Sequence, residues 1–77
     1  MQFQLDDSVR VVRLLEFERE ISGLAEHALP PRVGDVAAIV ADVGEGIYVV
    51  ESRTDDGVVR WTAEFVAEEL ELVERPM

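Results

Sequence analysis

Seventy-seven residues make a single domain, residues 1–77. A chain this short buries only about 60% of the surface its unfolded form exposes, so its stability margin is thin. It contains no cysteine and one histidine, His27, which excludes disulfides, a thiolate zinc site, a cysteine nucleophile and a His-rich metal site, while a net charge of −10 repels phosphate backbones and anionic lipid and favours basic proteins as partners.

Hydrophobic residues are 48% of the chain, a folded composition rather than a disordered one. No apolar run approaches the ~20 residues of a membrane span. The opening "MQFQLDD" has neither the basic flank nor the apolar core of a signal peptide, so a cytoplasmic location is expected.

Between Phe3 and Phe17 the odd positions carry Phe3, Leu5, Val9, Val11, Leu15 and Phe17. The even positions up to Arg10 carry Gln2, Gln4, Asp6, Ser8 and Arg10. This period of two predicts a strand with one buried face. Val12 and Leu14 break the alternation, as expected if the far end is covered on both faces.

Residues 16–29 place Phe17, Ile21, Leu24, Ala25 and Ala28 at helical spacing, but Gly23 interrupts them and costs a helix about 1 kcal/mol relative to alanine. Pro30-Pro31 ends any helix by Leu29. The expected element is a long structured loop with about one helical turn near Ser22 to Ala28; the rival is a full amphipathic helix.

Val33-Gly34-Asp35 then leads into an apolar run. A phosphate loop needs several glycines opening onto a helix N-terminus, whereas one glycine here opens onto a strand, so a structural turn is predicted. Val36 to Val43 fits a central strand covered on both sides. Gly44-Glu45-Gly46 turns the chain. The next strand, 47–53, divides into a Tyr48, Val50, Ser52 face and an Ile47, Val49, Glu51 face. Asp56-Gly57 marks a hairpin, and a fourth strand over 58–63 carries Val59 and Trp61 on one face.

The tail admits two readings. Ala63, Val66, Ala67, Leu70 and Val73 fit a helix, while Leu70 and Leu72 fit a short strand after a turn through Val66 to Glu69. The turn and strand are preferred, because four strands in a meander leave open edges that a short fifth can help close.

The order is strand, long loop, strand, turn, strand, Asp-Gly turn, strand, single turn and short strand. "VGDVAAIV", "YVVES", "DG" and "AEELELV" together resemble a family of short bacterial proteins of unknown function with an SH3-like barrel. That family carries Gly-Asp-Val-Gly-x-Val, a Tyr-x-Val-Glu-Phe strand, an Asp-Gly turn and a closing acidic-leucine segment. Ala37 stands where the second glycine is usual, and Ser52 where phenylalanine is. The closing segment also resembles those of the SH3-like subunit of photosystem I and the nitrile hydratase beta-subunit barrel. The resemblance implies an all-β, five-stranded SH3-like barrel with a long first loop, and brings no activity with it.

No catalytic constellation stands out. The pairs Asp6-Asp7, Asp55-Asp56 and Glu68-Glu69 read as solvated turns, not as acid-base dyads, and Asp55-Asp56-Gly57 lacks the spaced ligands of a calcium loop. His27 reads as a loop or packing residue, with a pH-responsive contact as the alternative. Tyr48, Trp61 and Phe65 read as core, with a partner-facing patch as the alternative; Arg60 beside Trp61 would make that patch an anchor. The long loop offers Phe17, Ile21 and Leu24 inside a rim of Glu16, Glu18, Glu20 and Glu26, a candidate contact for a basic partner. The expected function is a non-catalytic acidic module, without cofactor or metal, acting through a basic protein partner or by self-association. A nucleic-acid mimic or single-strand binder, and an accessory subunit of an enzyme complex, are the alternatives.

Overall fold

The computed structural model describes residues 3–15, 21–22 and 30–76. Six strands form one antiparallel sheet: β1 (Ser8–Val11), β2 (Ile21–Ser22), β3 (Val36–Gly44), β4 (Ile47–Arg53), β5 (Val59–Val66) and β6 (Leu70–Glu74). The helical content among the described residues is one 3-10 turn, Ala67–Glu69, between β5 and β6. The strand order is β2-β5-β4-β3-β1-β6, so the sheet is not closed and β2 and β6 are its ends.

The β3-β4-β5 meander follows the turn chemistry of the sequence. Gly44, Glu45 and Gly46 all take positive φ (92°, 59° and 77°), which glycine adopts without strain, and this carries β3 back into β4. At the other end the Gly57 N–H donates to the Thr54 carbonyl and the Thr54 N–H to the Val58 carbonyl, closing the Asp-Gly hairpin. The preferred reading of the tail holds: the 3-10 turn and then β6 stand where a helix was the alternative.

The alternating faces of β4 and β5 are also as expected. Tyr48, Val50 and Ser52 are buried on β4; Trp61, Ala63 and Phe65 are buried on β5. With Val9, Val11, Ala37, Ile39 and Leu70 they make one apolar cluster, flanked by Phe3, Leu14, Ile21 and Ala67.

Three expectations need correction. The first strand is short, Ser8–Val11, because a turn precedes it: Asp6 sits at φ 71°, and the Asp7 N–H donates to the Gln4 carbonyl at 3.1 Å. β3 is covered on one face only. Ala37 and Ile39 are buried, but Val36, Val40 and Val43 are 46%, 42% and 53% exposed, because among the described residues no second layer lies outside them. The register slips between Ile39 and Ala41, so Val40 is the extra residue of a bulge. The long loop contributes a strand: Ile21 and Ser22 pair with Ala63 and Thr62. The helical turn expected over Ser22 to Ala28 otherwise lies outside the described residues.

Candidate functional site

Asp7 stands at an odd position of the first alternation, in step with Val9 and Val11, so its carboxylate points inward and is fully buried. A buried carboxylate is tolerable only with partners. Arg75, just beyond β6, supplies them in a two-pronged contact: Nε donates to Oδ1 at 3.0 Å and an Nη to Oδ2 at 2.8 Å. The Gln4 N–H adds a third bond to Oδ2 at 2.8 Å. The Arg75 hydrogen bond holds the Asp7 carboxyl below its ordinary value of 3.8, against burial, which acts to raise it; the Gln4 N–H and the guanidinium charge act with it. The same bond raises the guanidinium of Arg75. Asp7 is therefore a clamp between the two ends of the described chain, not a residue of a solvated turn.

Glu69, the last residue of the 3-10 turn, is likewise fully buried. Its Oε1 accepts from the Val66 N–H at 3.0 Å and its Oε2 from the Leu15 N–H at 2.7 Å. Its backbone carbonyl accepts from the Val12 N–H at 2.8 Å. One residue thus joins the end of β5 to the segment leaving β1, while the Ala67 N–H bonds the Gly46 carbonyl beside it. Glu68 next to it is exposed, so only half of that pair is solvated.

The binding candidates read from the sequence do not form one surface. Phe17 and Leu24, with His27, lie outside the described residues. Ile21 is half-buried on β2 against the core. Tyr48 and Trp61 are fully buried, as core packing required, so neither presents a face to a partner. The Tyr48 hydroxyl accepts from the Phe3 N–H at 3.2 Å, and the Phe3 ring meets Tyr48 edge-on at 5.4 Å. Trp61 lies 5.7 Å from Phe65, and among the described residues its buried indole N–H has no hydrogen-bond partner. A stacking platform for bases needs exposed rings, and these three offer none. Arg60 is tied to Asp35 at 3.2 Å, which steadies the turn after Gly34 where the Gly34 N–H donates to the Val11 carbonyl.

What lies open among the described residues is the outer edge of β6. Leu70 faces the core, but Leu72 and Val73 are 42% and 43% exposed. A register shift opposite Ser8 and Val9 leaves Val73 as the extra residue. Glu71 pairs with Arg10 and Glu74 with Ser8, and both partners lie on the outer face, so the shift turns both glutamates to that face. Beside the end of the strand a shallow hollow of about 190 Å³ is lined by Asp6, Ser8, Glu74 and Pro76. The strand itself is expected from Leu70 and Leu72; its exposure and the acidic hollow have no signal in the sequence.

No family model matches the chain, and neither a curated protein nor a solved structure matches it. Among the described residues no group of three or more His, Asp or Glu gathers to hold a metal, and no helix is long and apolar enough to cross a membrane.

Proposed function

We propose that the chain is an SH3-like barrel of the kind carried by the short bacterial proteins it resembles, and that it works as a non-catalytic, cytoplasmic contact module for another protein. Three features support the barrel. The strand order places β1 between β3 and β6, a 3-10 turn precedes the last strand, and the sheet buries one apolar face with no helical layer over it among the described residues. A single flat sheet cannot bury its own face.

The observation that carries the contact reading is the open β6 edge with Leu72 and Val73 exposed on an acidic protein. Unpaired strand edges are templates for pairing with another chain. The two fully buried carboxylates do not favour chemistry: each holds backbone or Arg75 in place. Cross-linking and pull-down from the source cells at graded salt test the reading. A stable protein partner, displaced as salt rises, is the expected result. Recovery of the monomer alone at every salt concentration overturns it.

A further inference from the structure

The geometry points to β6 as a site of strand addition that takes an extended, basic segment of a partner protein. This rests on the contact reading above and adds the mode and the chemistry. β-Strand addition uses main-chain hydrogen bonds for affinity and alternating side-chain contacts for selectivity. It needs an edge that is open and already in place. β6 has the first property among the described residues, being the end of the sheet. It has the second because it is fastened at both ends: Glu69 ties its start to Val66 and Leu15, and Arg75 ties its finish to Asp7.

Charge selects the occupant. A second copy would set Glu71 and Glu74 beside their own counterparts and bring together two chains of −10. Like charges across a strand pair are destabilising. A segment with Lys or Arg at alternate positions instead meets Glu71 and Glu74, which share the outer face. Glu71 already contacts Arg10, but at 3.7 Å with both side chains about half exposed, a weak tie that leaves the carboxylate accessible. Glu74 makes no ion pair among the described residues, and it lines the hollow with Asp6. That hollow extends the same chemistry beyond Glu71 and Glu74: Asp6 and Ser8 join Glu74 around a recess of a size to admit the end of a cationic side chain. Apolar residues alternating with the basic ones would cover Leu72.

The test uses nine-residue peptides that alternate Lys or Arg with Val, Ile or Thr. Each is paired with an analogue N-methylated at alternate backbone positions, which keeps the charge and side chains but removes main-chain donors. Backbone amide shifts and hydrogen exchange of the full chain are followed at low salt. The expected result is binding with shifts and slowed exchange centred on 71–74, with the N-methylated analogue at least about tenfold weaker. Charge reversal in Glu71→Lys/Glu74→Lys, and neutralisation in Asp6→Asn, should each weaken binding about fivefold or more while the spectra stay native. All three side chains are exposed, and Asn tolerates the left-handed backbone of residue 6 as Asp does. Equal binding of methylated and unmethylated peptides, with shifts spread over the acidic surface, overturns strand addition but leaves the contact reading standing. Absence of binding by every peptide overturns the proposal. A partner captured from cells that leaves 71–74 unprotected also overturns it, without touching the contact reading.

Discussion

Glu69→Gln is the substitution that best isolates what holds the open sheet together. The wild-type carboxylate receives two backbone N–H groups, Val66 on one oxygen and Leu15 on the other. Glutamine has the same length and keeps one acceptor, but its amide NH₂ must face the second donor. One charge-assisted bond, worth about 1.5–3 kcal/mol, is lost and the other is reduced to a neutral bond. Removing a buried charge returns part of this, and the half-exposed surroundings of Leu15 let water serve its N–H. The net cost works out at about 2 kcal/mol. A 77-residue domain has only about 4–12 kcal/mol in all, so this is a large fraction of its stability. In temperature it corresponds to a fall of about 10 °C in Tm.

The assay is equilibrium denaturation in urea followed by the fluorescence of the single tryptophan, Trp61, with amide exchange read at residues 15 and 66. Glu68→Gln next door, exposed, is the control and should lie within about 0.5 kcal/mol of wild type. If Glu69→Gln also stays within that range and the Leu15 and Val66 amides exchange at their wild-type rates, then the carboxylate is not the tie between β5 and β1, and the account of the fastened edge fails with it.

Four further outcomes follow from the same geometry. Because the folded Asp7 carboxyl lies below its ordinary value, its contribution is present above about pH 4 and is lost as pH falls through the folded value; urea midpoints should therefore separate wild type from Asp7→Asn at neutral pH and bring them together on acidification. Trp61, fully buried, should emit to the blue of free tryptophan and resist acrylamide quenching until the chain unfolds; ready quenching in the native state would contradict its burial. Ser52→Ala removes one donor to the Val36 carbonyl and should cost about 1 kcal/mol or less by denaturation, while Ser52→Phe should cost about 1–3 kcal/mol, because Trp61 stands directly opposite. Gly34→Ala meets nothing within 4 Å, so its cost is the backbone strain at φ 101°, about 1–2 kcal/mol by the same measurement.

The β-rich fold was legible because its signals are local. Period two on 47–53 and 58–63, the Asp-Gly turn and the Gly44-Glu45-Gly46 turn each act over a few residues, and each has its expected form. Ser52, buried on β4, stands directly opposite the large Trp61 in the sheet. What failed depends on distant partners. Whether Val36, Val40 and Val43 are covered is decided by the layer outside β3, and apolar composition alone cannot tell a strand buried on two faces from one buried on one.

The two buried carboxylates separate these cases most clearly. Asp7 was readable in principle: Val9 and Val11 define an inward face, and residue 7 falls in step with them. An acid on the apolar side of an alternating strand requires a cation or several N–H donors, and with seven arginines and no lysine the cation had to be an arginine. Glu69 had no such signal. It lies in a 3-10 turn, where neither period two nor period 3.6 applies, and the Val66 and Leu15 N–H groups it receives are ones that any sequence would supply. In two of the three acidic pairs, Asp6-Asp7 and Glu68-Glu69, one member faces water and its neighbour faces the interior, while Asp55 and Asp56 are both exposed. The net charge of −10 therefore describes two populations. Most of the acids make the surface attractive to a cationic partner, while Asp7 and Glu69 hold β6 in the position where such a partner would pair.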